Sequence, residues 1–591
     1  MKLLLLGNEA LAYGALSEGV AVATAYPGTP STEILETLEE FRDRFTHWAA
    51  NEKTAFEIAY GAALAGARAL TAMKHVGLNV AADPLHSSAY TGVEGGFLII
   101  SADDPSMHSS QNEQDTRWYG LQSFVPVLEP SDPRNAYDLA KAGMRLSEEL
   151  RHPVLIRSVT RVSHVRAPVD IDPPSPPKWG SFNKDIKRFT LVPAHARERR
   201  KALLEKWREV EKISSKFIKV EGSGEKSVVT AGVAYNYVKE AVKKLNIEIK
   251  IVKLEMSVPV PPTIRDIVGE RAVVVEEGEP VVEIQLRSLG IYTYGKLDGY
   301  FPRYGELDTT KTAVGLAKAF GIEYRISKVF RPEAEPPPRR PSLCPGCPHM
   351  GTFYALRIAA VGKEVVWSGD IGCYSLGVNT NQQDIITHMG SSIGLGMGVA
   401  LSDKKLVVAT VGDSTFFHAS LPQLVDVATR SIPLLIVVMD NSYTAMTGGQ
   451  PSPSRKIPIE KITEAFGITT YVIDPIDIKK SIYTLKKAIE EVKNNKPIVV
   501  VSKRPCVLMA VRKARKSGVH WPRYRVDPDL CIKCGICFNI GCSAIFKQDD
   551  GKAVVDTSLC TGCGVCSEVC PRGAFKYEGD RSAWLDTWLR T

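Results

Sequence analysis

Along most of the chain, short apolar runs alternate with longer stretches whose apolar positions recur every three or four residues. The first pattern is that of buried strands, the second that of amphipathic helices. In residues 1–180 the runs "KLLLLG", "FLIISA" and "PVLIRSV" predict strands, and "EKTAFEIAYGAALAGARAL" predicts a helix. Strands and helices taking turns predict an α/β unit on a parallel sheet. The Pro-rich "DIDPPSPPKWG" (170–180) closes it. Residues 181–225, rich in Lys and Arg, predict a basic helical connector. The alternation restarts over 226–335, where "KSVVTAGVAYNYVKEAVKKLNIEIKIVKLE" predicts strand, helix and strand, and "RAVVVEEG" a further strand. "RPEAEPPPRRP" (331–341) reads as a linker. Residues 342–515 predict a third α/β unit, with strands "EVVWSG", "LVVATVGD", "PLLIVVMDN" and "PIVVVSK". Residues 522–591 are short of apolar side chains and rich in Cys and Gly, so bound metal must help hold this last domain.

A chain of 591 residues is too long for one core. Its 44% hydrophobic and 24% charged residues are ordinary for globular protein, and a net charge of +8 is modest at this length. The basic stretches "KDIKRF" and "RERRKALLEKWREVEK" read as a solvated helix or linker, and less readily as a docking face for an acidic partner. The longest apolar runs, such as "IPLLIVVM" (432–439), fall far below the ~20 residues of a spanning helix. "MKLLLLGNEA" is too short for a signal segment and reads as a first buried strand. A cytoplasmic location is therefore expected, with neither membrane nor nucleic acid as partner. The 12 cysteines become metal ligands or reactive thiols rather than disulfides. No P-loop and no G-x-G-x-x-G with an acidic partner supports nucleotide-driven or NAD-linked chemistry.

The cysteines of the tail have a recognisable spacing. An iron–sulfur cube needs four converging thiolates; C-x2-C-x2-C supplies three, and a distant Cys-Pro the fourth. Cys560, Cys563, Cys566 and Cys570-Pro571 follow this pattern. Cys531, Cys534, Cys537 and Cys542 follow it with one extra residue before the last Cys, and with Ser543 in place of Pro. In two-cluster ferredoxins the fourth Cys crosses to the other cluster. One cluster is thus expected on Cys531, Cys534, Cys537 and Cys570, the other on Cys560, Cys563, Cys566 and Cys542. A zinc module is the weaker reading, with no His interleaved.

In the third unit, "VATVGDSTFFHASLPQLVDVATRSIPLLIVVMDNSYTAMTGG" (407–449) has one strand ending in Gly-Asp and a second ending in Asp-Asn. Parallel sheets bind ligands beyond the carboxyl ends of their strands. The helix start after Gly412 offers N–H groups to an anion. Asp413, Asn441 and the carbonyl of Tyr443 make an oxygen set suited to Mg²⁺ beside a diphosphate. Gly-Asp followed by Asn about 28 residues later is the thiamine diphosphate pattern, with Ser414 where Gly is usual. Cys344 and Cys347 in "CPGCPH", Cys373 in "GDIGCYSLG" and Cys506 in "SKRPC" remain. They read either as two buried thiols plus a redox pair or as ligands of a third, proximal cluster, which would divide the cysteines into three sets of four.

With these motifs in hand, the chain resembles the 2-oxoacid:ferredoxin oxidoreductases. "AYPGTPSTEI" (25–34) is similar to the signature of that family's pyrimidine-binding domain, and "NEKTAFEIAYGAALAGARAL" (51–70) to the helix bearing its coenzyme-activating glutamate. "CPGCPH", "GDIGCYSLG" and the Gly-Asp…Asn stretch are similar to its diphosphate-binding domain. The domain order, with no gamma-type domain fused, resembles the large (alpha) subunit of the indolepyruvate branch. The resemblance implies an α/β fold of several parallel-sheet, transketolase-like domains plus a C-terminal two-cluster ferredoxin-type α+β domain. It implies thiamine diphosphate, Mg²⁺, two or three [4Fe–4S] clusters with three favoured, and coenzyme A as cosubstrate. The implied partners are a smaller beta subunit with the missing domain, in an alpha2beta2 heterotetramer, and an external ferredoxin. The implied reaction is oxidative decarboxylation of arylpyruvates. Pyruvate, a branched 2-oxoacid, or non-oxidative chemistry with structural clusters are the alternatives. Glu52 takes the place of the activating glutamate, and Thr29 that of a residue near the reactive carbon. Gly372, Gly390, Ser391, Gly412 and Ser414 are candidate diphosphate contacts. Arg117, in "QNEQDTRW", is a candidate clamp for the substrate carboxylate. His47, His349 and His388 are weaker candidates, since a single His is more often structural.

Overall fold

The computed structural model describes residues 1–326, 336–337, 341–403, 405–494 and 496–591. Of the linker read at 331–341, only residues 336, 337 and 341 are among the described residues. The chain divides into two compact units, Met1–Glu333 and Ala334–Thr591.

The first unit holds a seven-stranded sheet. Its order is Met256–Val258, Val127–Leu128, Val154–Val159, Phe97–Asp103, Ala69–Lys74, Val22–Ala25 and Phe45–Trp48. All neighbours are parallel except Met256–Val258, which runs antiparallel to Val127–Leu128. The three central strands are buried along their whole length, as a parallel sheet covered on both faces requires. Helices Gly7–Ser17 and Pro133–Leu150 pack together over one face, through Leu11, Ala15, Tyr137 and Met144.

Three features depart from the sequence expectations. The opening run does form a strand, Lys2–Leu6, but it pairs only with Arg166–Asp170 in a separate ribbon, and of its residues only Leu5 is buried. Its four consecutive leucines carry no alternation, so period alone could not say which side is covered. In the basic segment, helix Pro193–Ser214 packs on the first domain through Leu203, Val210 and Trp207, with Trp207 edge-on to Phe124. The strand Ile218–Glu221 that follows joins the middle domain's sheet. That sheet runs Tyr292–Tyr294, Arg271–Val275, Ser227–Ala231, Lys250–Leu254, Ile218–Glu221. The middle domain in turn lends Met256–Val258 to the first sheet, so the two are stitched by backbone pairing.

The second unit contains a five-stranded parallel sheet, ordered Val365–Ser368, Leu406–Gly412, Leu435–Asp440, Ile498–Lys503 and Thr469–Ile473. The first four are the strands read from the sequence. Thr469–Ile473 is a half-exposed edge whose "TTYVI" lacks a continuous apolar run. The cysteine-rich tail adds two antiparallel pairs, Arg523–Val526 with Phe575–Glu578 and Ile545–Lys547 with Ala553–Val555. Its apolar content is larger than expected in one respect. Helix Arg581–Leu589 buries Trp584 and Trp588 completely, in a core shared with Met350, Phe353, Val507 and Tyr524. The tail therefore leans on the α/β part of its unit as well as on metal.

Candidate functional site

In the first unit, candidate residues gather at the carboxyl ends of the parallel strands. The side chain of Asn51 caps helix Glu52–Leu64 by accepting the Thr54 amide. Glu52 is the first helical residue and is buried. Gly77 lies directly against it, since a Cβ at 77 would stand 2.6 Å from Glu52 Cγ. Thr29 is half-buried after strand Val22–Ala25, and its carbonyl accepts a 3.4 Å hydrogen bond from Ser109 Oγ. Lys74 ends strand Ala69–Lys74 beneath Gly28. Its Nζ donates to the Ser109 carbonyl at 2.8 Å and to Ser109 Oγ at 3.3 Å, and lies 3.9 Å from the Asp104 carboxylate. Burial lowers the Lys74 pKa to about 8, with Asp104 pulling the other way. His47 is exposed on the edge strand Phe45–Trp48.

Arg117, foreseen as a clamp for a substrate carboxylate, meets carboxylates of the protein itself in this structure. It is completely buried. Nε bonds Asp115 at 2.9 Å, Nη1 bonds Glu276 at 2.7 Å, and Nη2 bonds Asp115 and the carbonyls of Glu277 and Glu279. Arg157 beside it is equally buried, bonding Asp103 and Glu129 at 2.6 Å. Glu276 to Glu279 belong to the middle domain, so this network ties that domain to the first. A buried charge is tolerated only when so paired.

In the second unit, Asp413 directly follows strand Leu406–Gly412, Asp440 ends the adjacent strand Leu435–Asp440, and both are buried. Ser454 Oγ bridges them, at 2.8 Å from Asp413 and 2.9 Å from Asp440. Burial and then the charge of Asp440 push the Asp413 carboxyl well above its usual range, and burial raises Asp440. Two adjacent buried carboxyls held in this way fit a divalent cation, whose charge would let both ionise. Asn441 Oδ1 accepts the Tyr443 amide at 3.0 Å, and its Nδ2 lies 3.3 Å from His349 Nε2. His349 is buried, which lowers its pKa to about 4 and keeps it neutral. Ser414 Oγ accepts from Thr444 at 2.8 Å.

The Gly390–Ser392 turn is pinned by Asp370, whose carboxylate accepts the amides of Gly390 at 2.7 Å and Ser392 at 3.0 Å. Ser391 Oγ is buried with no hydrogen-bond partner among the described residues, an orphan that a diphosphate oxygen would satisfy. Gly372 and Gly412 are glycines for another reason, because the Tyr374 ring occupies the space their side chains would need. His388 is exposed, its Nδ1 3.0 Å from Thr387 Oγ1.

Asp370, Asp440 and Ser454 are absent from the sequence-derived set. Asp370 had a signal, a Gly-Asp at a strand end like Gly412-Asp413, and Asp440 directly precedes Asn441. Ser454 reaches both carboxylates from a distant loop and had none.

The cysteines form three groups. Cys531, Cys534, Cys537 and Cys570 line one cavity. Cys542, Cys560, Cys563 and Cys566 line another. The last Cys of each motif thus lies with the first three of the other. Pro345, Gly346 and Cys347 line the second cavity as well, and Thr561 Oγ1 donates to the Pro345 carbonyl at 2.9 Å. Cys344, Cys347, Cys373 and Cys506 form the third group. Burial raises all four thiols, and neighbouring thiols of the group add to the rise at Cys347, Cys373 and Cys506. Cys373 is pushed up to about 12, in part by Asp413. Burial likewise carries Cys537 to about 11 and Cys563 to about 12. Thiols held neutral in this way ionise together only when a cation joins them, so the pockets fit a thiolate-bound metal centre. Among the described residues no three Cys, His, Asp or Glu side chains converge on a point for a single metal ion. The tail thiols ring cavities.

Residues 13–207 match the family described as pyruvate flavodoxin/ferredoxin oxidoreductase, thiamine diphosphate-binding. Residues 370–502 match the C-terminal thiamine pyrophosphate-binding domain of thiamine pyrophosphate enzymes, and 553–576 a 4Fe-4S binding domain. Curated relatives named indolepyruvate oxidoreductase subunit IorA align across the chain. The protein of Thermococcus kodakarensis is 42% identical over 97% of both chains. That of Archaeoglobus fulgidus is 40% identical over the same share. The chain belongs to the 2-oxoacid:ferredoxin oxidoreductase family. It is an enzyme of that family, using thiamine diphosphate and [4Fe–4S] centres to oxidise a 2-oxoacid. The 2-oxoglutarate synthase subunit KorA of Methanothermobacter thermautotrophicus, 29% identical, aligns with only 28% of this chain. No described helix is long and apolar enough to cross a membrane.

Proposed function

We propose that this chain is the large subunit of an enzyme that oxidatively decarboxylates arylpyruvates, indolepyruvate and phenylpyruvate among them. Coenzyme A takes the acyl group and an external ferredoxin takes two electrons. The products are an aryl-acetyl-CoA, CO₂ and reduced ferredoxin. Thiamine diphosphate supplies the carbon centre at which a 2-oxoacid loses CO₂ and gives up electrons. Glu52 holds a proton at the coenzyme's pyrimidine nitrogen. Asp413, Asn441 and the Tyr443 carbonyl hold Mg²⁺, with Asp440 adding charge behind them, and Gly390, Ser391 and Ser414 face the diphosphate. Three clusters sit on the three cysteine groups. A smaller beta subunit completes an alpha2beta2 assembly, in keeping with relatives that are themselves named as subunits, and the cytoplasm is its place.

One observation carries this reading. The loop holding Cys344 and Cys347 lies against the tail cavity of Cys542, Cys560, Cys563 and Cys566, while Cys373 of the same group feels Asp413. The proximal thiols therefore stand between the candidate cation site and the tail. The second tail cavity, which includes the exposed Cys534, is the exit. The test is anaerobic spectroscopy of the assembled enzyme. Indolepyruvate or phenylpyruvate with coenzyme A should bleach the cluster absorbance. Faster bleaching by pyruvate overturns the aryl assignment, and clusters that stay oxidised with every 2-oxoacid overturn the redox reading.

A further inference from the structure

Of the two cavities ringed by the tail cysteines, one is also lined by a buried hydroxyl that no protein acceptor satisfies. We propose that the Tyr524 hydroxyl, with the Arg581 guanidinium beside it, donates a hydrogen bond to a sulfur of the cluster on Cys542, Cys560, Cys563 and Cys566, and so eases that cluster's reduction. The inference rests on the reading of those four thiols as the ligands of one [4Fe–4S] centre.

Strand Arg523–Val526 turns Tyr524 inward and leaves Arg523 and Arg525 exposed, so the tyrosine is buried. Its ring lies 5.3 Å from that of Tyr577 on the paired strand. The hydroxyl has no hydrogen-bond partner among the described residues, and neither has the buried Nε of Arg581. A buried phenol ordinarily finds one. Thr561 carries the other hydroxyl lining this cavity, and it is committed to the Pro345 carbonyl at 2.9 Å. The cavity of Cys531, Cys534, Cys537 and Cys570 has no hydroxyl among its described lining residues.

Gly564 fixes where these donors lie. It stands between Cys563 and Cys566 with φ +83°, and a Cβ there would be 2.8 Å from both Tyr524 Oη and Arg581 Nη2. The bare Cα therefore leaves room for a hydroxyl and a guanidinium against the loop that carries two of the four ligands. A guanidinium has donors and no acceptor, and a phenol keeps its proton at neutral pH. Burial raises the Tyr524 pKa, Arg581 pulls it down, and Cys566 and Cys563 add to the rise, so charge on those two sulfurs is felt at the hydroxyl. A thiolate-held iron–sulfur cube supplies the anionic acceptor that these donors lack. Its reduction adds one electron and one negative charge, breaks no bond and leaves the proton on the hydroxyl. Hydrogen bonds to the sulfurs are among the features that set a cluster's potential, and a donor there favours the reduced form. Pro345, Gly346 and Cys347 line the same cavity, so this is the tail centre that the proximal loop touches. Easing its reduction draws electrons from the proximal group into the tail.

The test is a dithionite titration, followed by electron paramagnetic resonance, of the anaerobically purified enzyme with its partner subunit. Tyr524→Phe keeps the ring and removes the donor. One cluster should become roughly 3- to 10-fold harder to reduce, the worth of one hydrogen bond, or about 30–60 mV at 59 mV per tenfold. The signal that shifts should be the one that Cys560→Ser alters, while the others stay put and iron content and melting temperature match the wild type. Arg581→Gln should move the same signal in the same direction. Unchanged potentials in Tyr524→Phe, or a shift in a signal that Cys560→Ser leaves alone, overturn the proposal. Should Tyr524→Phe lose its iron, Arg581→Gln decides, and an unmoved potential there overturns it. A wild type with no reducible cluster overturns the underlying reading too, whereas the outcomes above overturn this inference alone.

Discussion

Glu52 shows how little freedom a single side chain has here. Asn51 fixes the helix start, and at Gly77 the Glu52 carboxyl takes the space a side chain would need. Replacing Glu52 by Gln keeps the shape and removes the acid. Turnover should fall by about two or more orders of magnitude, the usual worth of a general acid–base group, while the melting temperature stays put. Arg117 is the opposite case. It was legible as a guanidinium suited to a carboxylate, and it does bind carboxylates, but they belong to Asp115 and Glu276. Arg117→Met should therefore cost about 3–5 kcal/mol of stability, the typical penalty for breaking a buried ion pair. Denaturant unfolding measures that loss, and any protein that folds should keep its KM for substrate. No local pattern separates these two roles, because Glu276 and the Glu277 carbonyl, which complete the pairing of Arg117, lie some 160 residues away.

Elements behave as the periodicity of their residues demands, and loops decide where they meet. The loop between Cys344 and Cys347 turns at Gly346 with φ +73°, and a side chain there would collide with Thr561 Oγ1 of the tail. Gly346→Ala should separate the two cysteine loops, slowing substrate-driven bleaching of the tail clusters while the proximal thiols keep their own group. Rapid-mixing spectroscopy reads the difference. At the end of helix Pro133–Leu150, His152 is buried with Nε2 2.8 Å from the Phe124 carbonyl, and burial lowers its pKa to about 4. The folded value lies below the unfolded value of about 6.5, so folding favours the neutral ring. Its stabilising effect is complete above about 6.5 and is lost as pH falls toward 4, by on the order of 3 kcal/mol. Hydrogen exchange at the Phe97 amide, held by the neighbouring Ser147 hydroxyl, should speed up over that range, and His152→Gln should flatten the change.

At the scale of the molecule, three cysteine groups imply about twelve irons per chain. Iron and acid-labile sulfide analysis of anaerobically purified enzyme checks this, and about eight irons would remove the proximal cluster. By itself, the sequence determined the alternation of strands and helices, four of the five strands in the second unit's parallel sheet, the Asp413–Asn441 pair and the cysteine spacings. These depend on residues close in the chain, where period, turn chemistry and ligand spacing act directly. Only the tertiary structure decided that Met256–Val258 crosses into the first sheet and that Trp584 and Trp588 anchor the tail. It alone brought Ser454 across to join Asp413 to Asp440 and put Lys74 under Gly28. Those choices depend on which distant surfaces exclude water together, and a buried charge takes whichever partner the fold brings within reach.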